Sequence, residues 1–150
     1  MMYLGIDPGA VSGAWGLINH HSEYIASGLI PNDQGRIKAK EFREELRKAI
    51  GKEDFQVVIE DVHAMPKQGV SSTFKFGRAV GAIEAVTELM AVPWFIVSPQ
   101  TWKRAMGVTS EKETSLIKAR ELWKTAPLKL KKSHGIAESL LLAEWLKRQA

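Results

Sequence analysis

The apolar pattern changes period about a fifth of the way along the chain, and that change restricts the fold more than any other feature. Before residue 31 the apolar runs are strand-length and closely spaced: Tyr3 to Asp7, Ala14 to Asn19 and Tyr24 to Ile30. Pro8 and Gly9 end the first run at a turn, and His20, His21 and Ser22 join the second to the third. Connections this short predict an antiparallel meander. Beyond it the spacing becomes helical. From Gly35 to Ile50, the residues Ile37, Phe42, Leu46, Ala49 and Ile50 recur among charges, which predicts an amphipathic helix stopped at Gly51.

Phe55-Gln56-Val57-Val58-Ile59 is a β-branched run and hence a buried strand, ending at Glu60-Asp61. A loop over 65–72, with Pro66 and Gly69, leads into a helix over 73–90. That helix carries the small residues Gly77, Ala79, Gly81, Ala82 and Ala85, suited to close packing. Trp94 to Val97 is a further strand. Ser98 as cap and Pro99 in the first turn open a short helix to about Met106. Ser110 with Glu113 reads as a capping box opening a helix to about Lys124, and a last helix starts near Ser133. Strands first, then helices alternating with strands, predict an α/β fold in one domain over residues 1–150: a mixed five-stranded sheet flanked by helices.

Cysteine is absent, so disulfides and thiolate metal sites are excluded and any metal must be held by oxygen or nitrogen. The apolar stretches are far shorter than the roughly 20 residues of a membrane span. Asp7, Pro8 and Gly9 interrupt the first apolar run as no signal peptide would. No membrane partner and a cytoplasmic location are the expectation. The formal net charge of +4 is modest, but Lys124, Lys129, Lys131 and Lys132 lie in a segment without an acid. Such a segment suits a polyanion, although many lysine runs are merely solvated.

Two carboxylates stand where chemistry is expected. Asp7 ends the first strand and Glu60 the fourth; if those strands are parallel neighbours, their carboxyl ends lie side by side, where open α/β sheets hold ligands. Adjacent carboxylates repel and lose hydration when buried, and a divalent cation removes both penalties. Each alone has a plainer reading, Asp7-Pro8-Gly9 as a turn and Glu60 as a solvated strand end. In the last helix, His134, Glu138, Leu141, Leu142 and Trp145 share one face. The leucines must face the core, so Glu138 and His134 point inward with them, near enough to reach one cation. The competing reading for Glu138 is a salt bridge to a nearby lysine, and for His134 simple exposure near a helix start. Strand alternation turns Asp61 away from Glu60, which suggests helix capping or support of the site.

In order along the chain, Gly5-Ile6-Asp7-Pro8-Gly9, Val58-Ile59-Glu60-Asp61-Val62, Phe76-Gly77-Arg78-Ala79-Val80-Gly81, Gln100-Thr101-Trp102-Lys103, Gly107 to Lys112 and Ala137-Glu138-Ser139-Leu140-Leu141 resemble the RuvC family of Holliday junction resolvases. The resemblance implies a ribonuclease-H-like fold and a magnesium-dependent endodeoxyribonuclease. Two ions would serve each active site, manganese could substitute, and no organic cofactor is implied. It implies metal binding by Asp7, Glu60 and Glu138. The family's fourth ligand lies about three residues before the last acid, where this chain has Gly135; His134, four before, takes that role here, as ligand or as general base. Lys103 and Lys112 are similar to basic residues beside the scissile phosphate, with Lys112 neutralising charge in the transition state.

His63 stands where the family often has a base-stacking aromatic, with Phe74 and Phe76 as alternatives. Lys67, Lys75, Arg78, Lys103, Arg104, Lys129, Lys131 and Lys132 are the expected phosphate contacts. Four-way junctions have twofold symmetry, so a homodimer is expected, with the 73–90 helix as its interface. The alternatives are another ribonuclease-H-like nuclease acting on branched DNA or RNA–DNA hybrids, a non-catalytic junction-binding protein, and an actin-like nucleotide binder. The last needs a second lobe for which 150 residues leave no room.

Overall fold

The structure, a computed structural model, describes residues 1–9, 13–63 and 66–150. Its strands are β1 (Met2–Asp7), β2 (Ala14–Asn19), β3 (Tyr24–Leu29), the two-residue β4 (Asn32–Asp33) and β5 (Arg36–Ile37), β6 (Phe55–Glu60) and β7 (Trp94–Val97). Its helices are α1 (Ala39–Ile50), α2 (Val70–Leu89), α3 (Pro99–Met106), α4 (Lys112–Leu122) and α5 (His134–Gln149), the last entered through a 3-10 turn at Lys131–Ser133. The main sheet has five strands in the order β3-β2-β1-β6-β7. β1, β2 and β3 form the expected antiparallel meander, and β6 and β7 add to β1 in parallel.

Alternation along the strands divides the core in two. Leu4, Ile6, Val57 and Ile59 face α1 and α2, where Phe42, Leu46, Ile83 and Val86 cover them. Tyr3, Val58 and Val97 face the other side, against Trp102, Met106, Leu116 and Leu140 to Leu142. α5 is buried nearly all round over Ala137–Glu144. It lies directly on the sheet because β1 and β2 present glycines to it. A Cβ at Gly5 would overlap the Ser139 carbonyl oxygen, and one at Gly16 would come 2.7 Å from Leu140. No helix among the described residues is long and apolar enough to cross a membrane.

Three local expectations are corrected. α1 begins at Ala39 rather than Gly35, because residues 32–37 close a hairpin of their own. The Asn32 side chain accepts from the Gly35 N–H, and Gln34 and Gly35 take positive φ, which no helix tolerates. α2 starts three residues early, at Val70; of the loop expected before it, Met65 lies outside the described residues. The capping box does not form: Ser110 precedes the N-cap, which is Glu111 and makes no side-chain cap. Thr114 instead closes this turn, donating to the Glu111 carbonyl and accepting from the Thr109 N–H. On α2, Gly77 and Gly81 meet nothing within 4 Å, so these two small residues face outward.

Candidate active site

β1 and β6 run parallel with Gly5 opposite Val58 and Ile6 opposite Ile59. Asp7 and Glu60 are therefore next in register, on strands about 4.8 Å apart. Asp7 shares its face with Gly5, and Glu60 with Val58, so both carboxylates point toward α5. Glu138 precedes Ser139, whose carbonyl lies over Gly5. All three acids are buried, with exposures of 8 %, 8 % and 7 % for Asp7, Glu60 and Glu138.

Their electrostatics report the crowding. Burial, with Glu60 and Glu138 adding repulsion, pushes the Asp7 carboxyl up to about 7. The Gly9 N–H, 2.9 Å from its Oδ1, and the Lys103 ammonium oppose that rise. Burial also raises Glu60, and Glu138 adds to it; the Trp102 indole and Lys103 pull it back. Trp102 Nε1 donates to Glu60 Oε2 at 2.7 Å, and Lys103 Nζ pairs with Glu138 Oε2 at 3.4 Å. The lysine ammonium also lies 5.5 Å from the Trp102 ring centroid. Both donors come from α3, which is held by Ser98 accepting from the Thr101 N–H, with Pro99 at the helix start.

The salt bridge weighed for Glu138 is thus present, and it sits inside the acid cluster. Among the described residues, no group of three or more acids or histidines is arranged to hold a metal ion as the side chains stand. The chemistry of Asp7, Glu60 and Glu138 suits a hard divalent cation, since they offer oxygen donors without sulfur and repel one another in a way such an ion would relieve.

The other residues read from the sequence lie outside this cluster. His134 is the half-buried first residue of α5, its Nδ1 3.4 Å from the Lys131 carbonyl. Gly135 packs on β2, where a Cβ would stand 3.3 Å from that of Ala14. Lys112, at the start of α4, is exposed, as are Lys67, Lys75, Arg78, Arg104, Lys129, Lys131 and Lys132. His63 is exposed and pairs with Asp61 at 3.4 Å. Asp61 is not the N-cap of any helix among the described residues; its N–H binds the Val97 carbonyl. Phe74 is 67 % exposed, with the Arg78 guanidinium 5.7 Å from its ring centroid, while Phe76 is half-buried. Sequence reading gave Trp102 no role. The available signal was a tryptophan on the inward face of a short helix, whose N–H must find a partner once buried.

No family model and no curated protein matches the chain. Solved structures do. The chain is similar to Thermus thermophilus RuvC in complex with a Holliday junction substrate, with a TM-score of 0.70 and 19 % identity over 100 % of this chain and 97 % of that one. A second Thermus thermophilus RuvC structure gives 0.67 and 20 % over 99 % and 96 %. The fowlpox virus Holliday junction resolvase gives 0.57 and 14 % over the whole of both chains. The chain has the RuvC fold. At these identities the likeness speaks for architecture, the mixed ribonuclease-H-like sheet with its helices. In this fold Asp7 and Glu60 end neighbouring parallel strands, and Glu138 of α5 stands near enough to repel both.

Proposed function

We propose that the chain is a divalent-metal-dependent endodeoxyribonuclease that resolves four-way DNA junctions by paired nicks. One observation carries this reading: three buried acids from distant points of the chain are gathered at one end of a sheet whose fold is that of solved junction resolvases. Asp7, Glu60 and Glu138 would hold magnesium, or manganese in its place. Two ions per site, with His134 as a fourth ligand or as general base, is the finer form of the proposal. A metal held by these acids would supply an acidified water as nucleophile and charge stabilisation for the leaving oxygen.

The chain's own groups do the rest. Lys103, free to exchange Glu138 for a phosphate oxygen, and Lys112 neutralise the phosphodiester. Lys67, Lys75, Arg78, Arg104, Lys129, Lys131 and Lys132 are exposed cations for backbone phosphates, and such contacts position DNA without reading its sequence. His63 and the exposed Phe74 offer rings for bases opened at the branch. Gly77, Gly81 and Ala85 recur on the exposed side of α2 at helical spacing, a face a second copy could approach closely to form the twofold dimer.

The decisive assay incubates the protein with a labelled four-way junction, a duplex and an RNA–DNA hybrid, with and without magnesium. Cleavage of the junction alone, in magnesium alone, is the expected result. Preferential cutting of the hybrid would reassign the substrate, and metal-independent junction binding without cutting would reduce the chain to a binding protein.

Cation binding itself should depend on pH. The proton held by Asp7 up to about pH 7 must leave before a cation enters. Manganese affinity should therefore fall about tenfold for each pH unit below 7 and level off above it. Calorimetric titration checks this; an affinity unchanged across pH 7 would show that Asp7 is not a ligand.

A further inference from the structure

Glu60 ends an interior strand between β1 and β7, and its side chain has three rotatable bonds with which to miss a ligand position. Trp102 constrains it. The indole is completely buried, packed in the same core as Val58, Met106 and Leu116, so its N–H has one direction in which to point. That direction ends on Glu60 Oε2, 2.7 Å away and 42 residues distant in sequence. An indole nitrogen is a donor only, is neutral and does not titrate. It therefore fixes one carboxylate oxygen without competing with a cation for charge. Lys103, the next residue, treats Glu138 in the opposite way, pairing with it as a charge rather than as a neutral donor.

We propose that Trp102 is a positioning residue of the metal site, its indole N–H holding Glu60 Oε2 so that the other carboxylate oxygen is presented toward Asp7 for the cation. The inference rests on the metal-site reading above and adds to it a part that the acids do not show. Outer donors of this kind change metal affinity by about 10- to 100-fold when removed. In Trp102→Phe the ring still fills most of the core space, but the donor is gone and Glu60 is left to its rotamers.

The test is calorimetric titration of the DNA-free protein with manganese, together with thermal melting of the same samples. Trp102→Phe should bind manganese about tenfold more weakly than the wild type. In cleavage assays the manganese concentration for half-maximal rate should rise in parallel. A purely structural tryptophan would lower Tm and leave the manganese Kd within about twofold of wild type, and that result overturns the proposal. Should Trp102→Phe fail to fold, benzothienylalanine at position 102 decides the matter. It keeps the bicyclic shape and replaces the N–H by sulfur, so an unchanged Kd is equally fatal and a weakened one supports the role. If the wild type itself binds no manganese, the metal-site reading falls and this inference falls with it; if only the variant comparison is flat, the metal site stands without Trp102.

Discussion

Asp7→Asn should abolish junction cleavage while making the cation-free protein more stable. The two effects share one cause. In the folded chain Asp7 keeps its proton up to about pH 7, whereas its ordinary value is 3.8. Below 3.8 folded and unfolded chains are both protonated at this position, and it contributes nothing to stability. Between 3.8 and 7 the unfolded chain releases the proton first, so stability is lost as pH rises. Above 7 the loss is complete, on the order of 4 kcal/mol when no cation compensates. Asparagine never carries that charge, and its amide oxygen can still accept from the Gly9 N–H. At about pH 8 in chelator the variant should melt several degrees above wild type, and near pH 4 the difference should vanish. Cleavage should fall by about a thousandfold or more, because one of the three acids proposed to hold the metal has lost its charge. A variant that still cuts at the wild-type rate would end the metal-site reading. One that cuts nothing yet gains no stability at high pH would show that the cluster is not strained without its cation.

Gly5→Ala should be the most damaging single-methyl change in the protein. The added Cβ would overlap the Ser139 carbonyl oxygen and stand 2.7 Å from the Ala143 nitrogen and 2.9 Å from the Leu142 Cβ. Two of these are backbone atoms, so no rotamer change relieves the contact, and α5 must move off the sheet. Overpacking of this kind costs about 3 kcal/mol, on the order of 10 °C in Tm. Because α5 carries Glu138 and β1 carries Asp7, the same displacement separates two of the three acids, and activity should fall further than stability. Gly77→Ala is the control. A Cβ there meets nothing within 4 Å, and alanine favours the helix by about 1 kcal/mol. Melting curves of the two variants should therefore shift in opposite directions. A Gly5→Ala protein that melts like wild type would mean that α5 does not sit on β1 as described.

Much of this arrangement is legible in the chain itself. Continuous apolar runs ending at Asp7 and Glu60 are visible without coordinates, because a strand buried on both faces must be apolar until it leaves the sheet. Glu138 is visible as a charge among leucines, since a helix packed on a sheet has no other reason to hide one. Where reading failed, a local side-chain bond outweighed periodicity. Asn32 accepting from Gly35 turned the start of an apparently continuous helix into a hairpin, and Thr114 took the place given to Ser110.

Strand positions, helix faces and the three candidate ligands thus follow from spacing, because burial imposes its period on neighbours in sequence. That Trp102 reaches Glu60, that Lys103 reaches Glu138, and that the glycines of α2 face outward are matters of three-dimensional packing. α3 is joined to the end of β6 across some forty residues of chain, and no local pattern records which face of a short helix will meet a strand end. Such contacts depend on how the elements dock, and docking depends on the shape of the whole core.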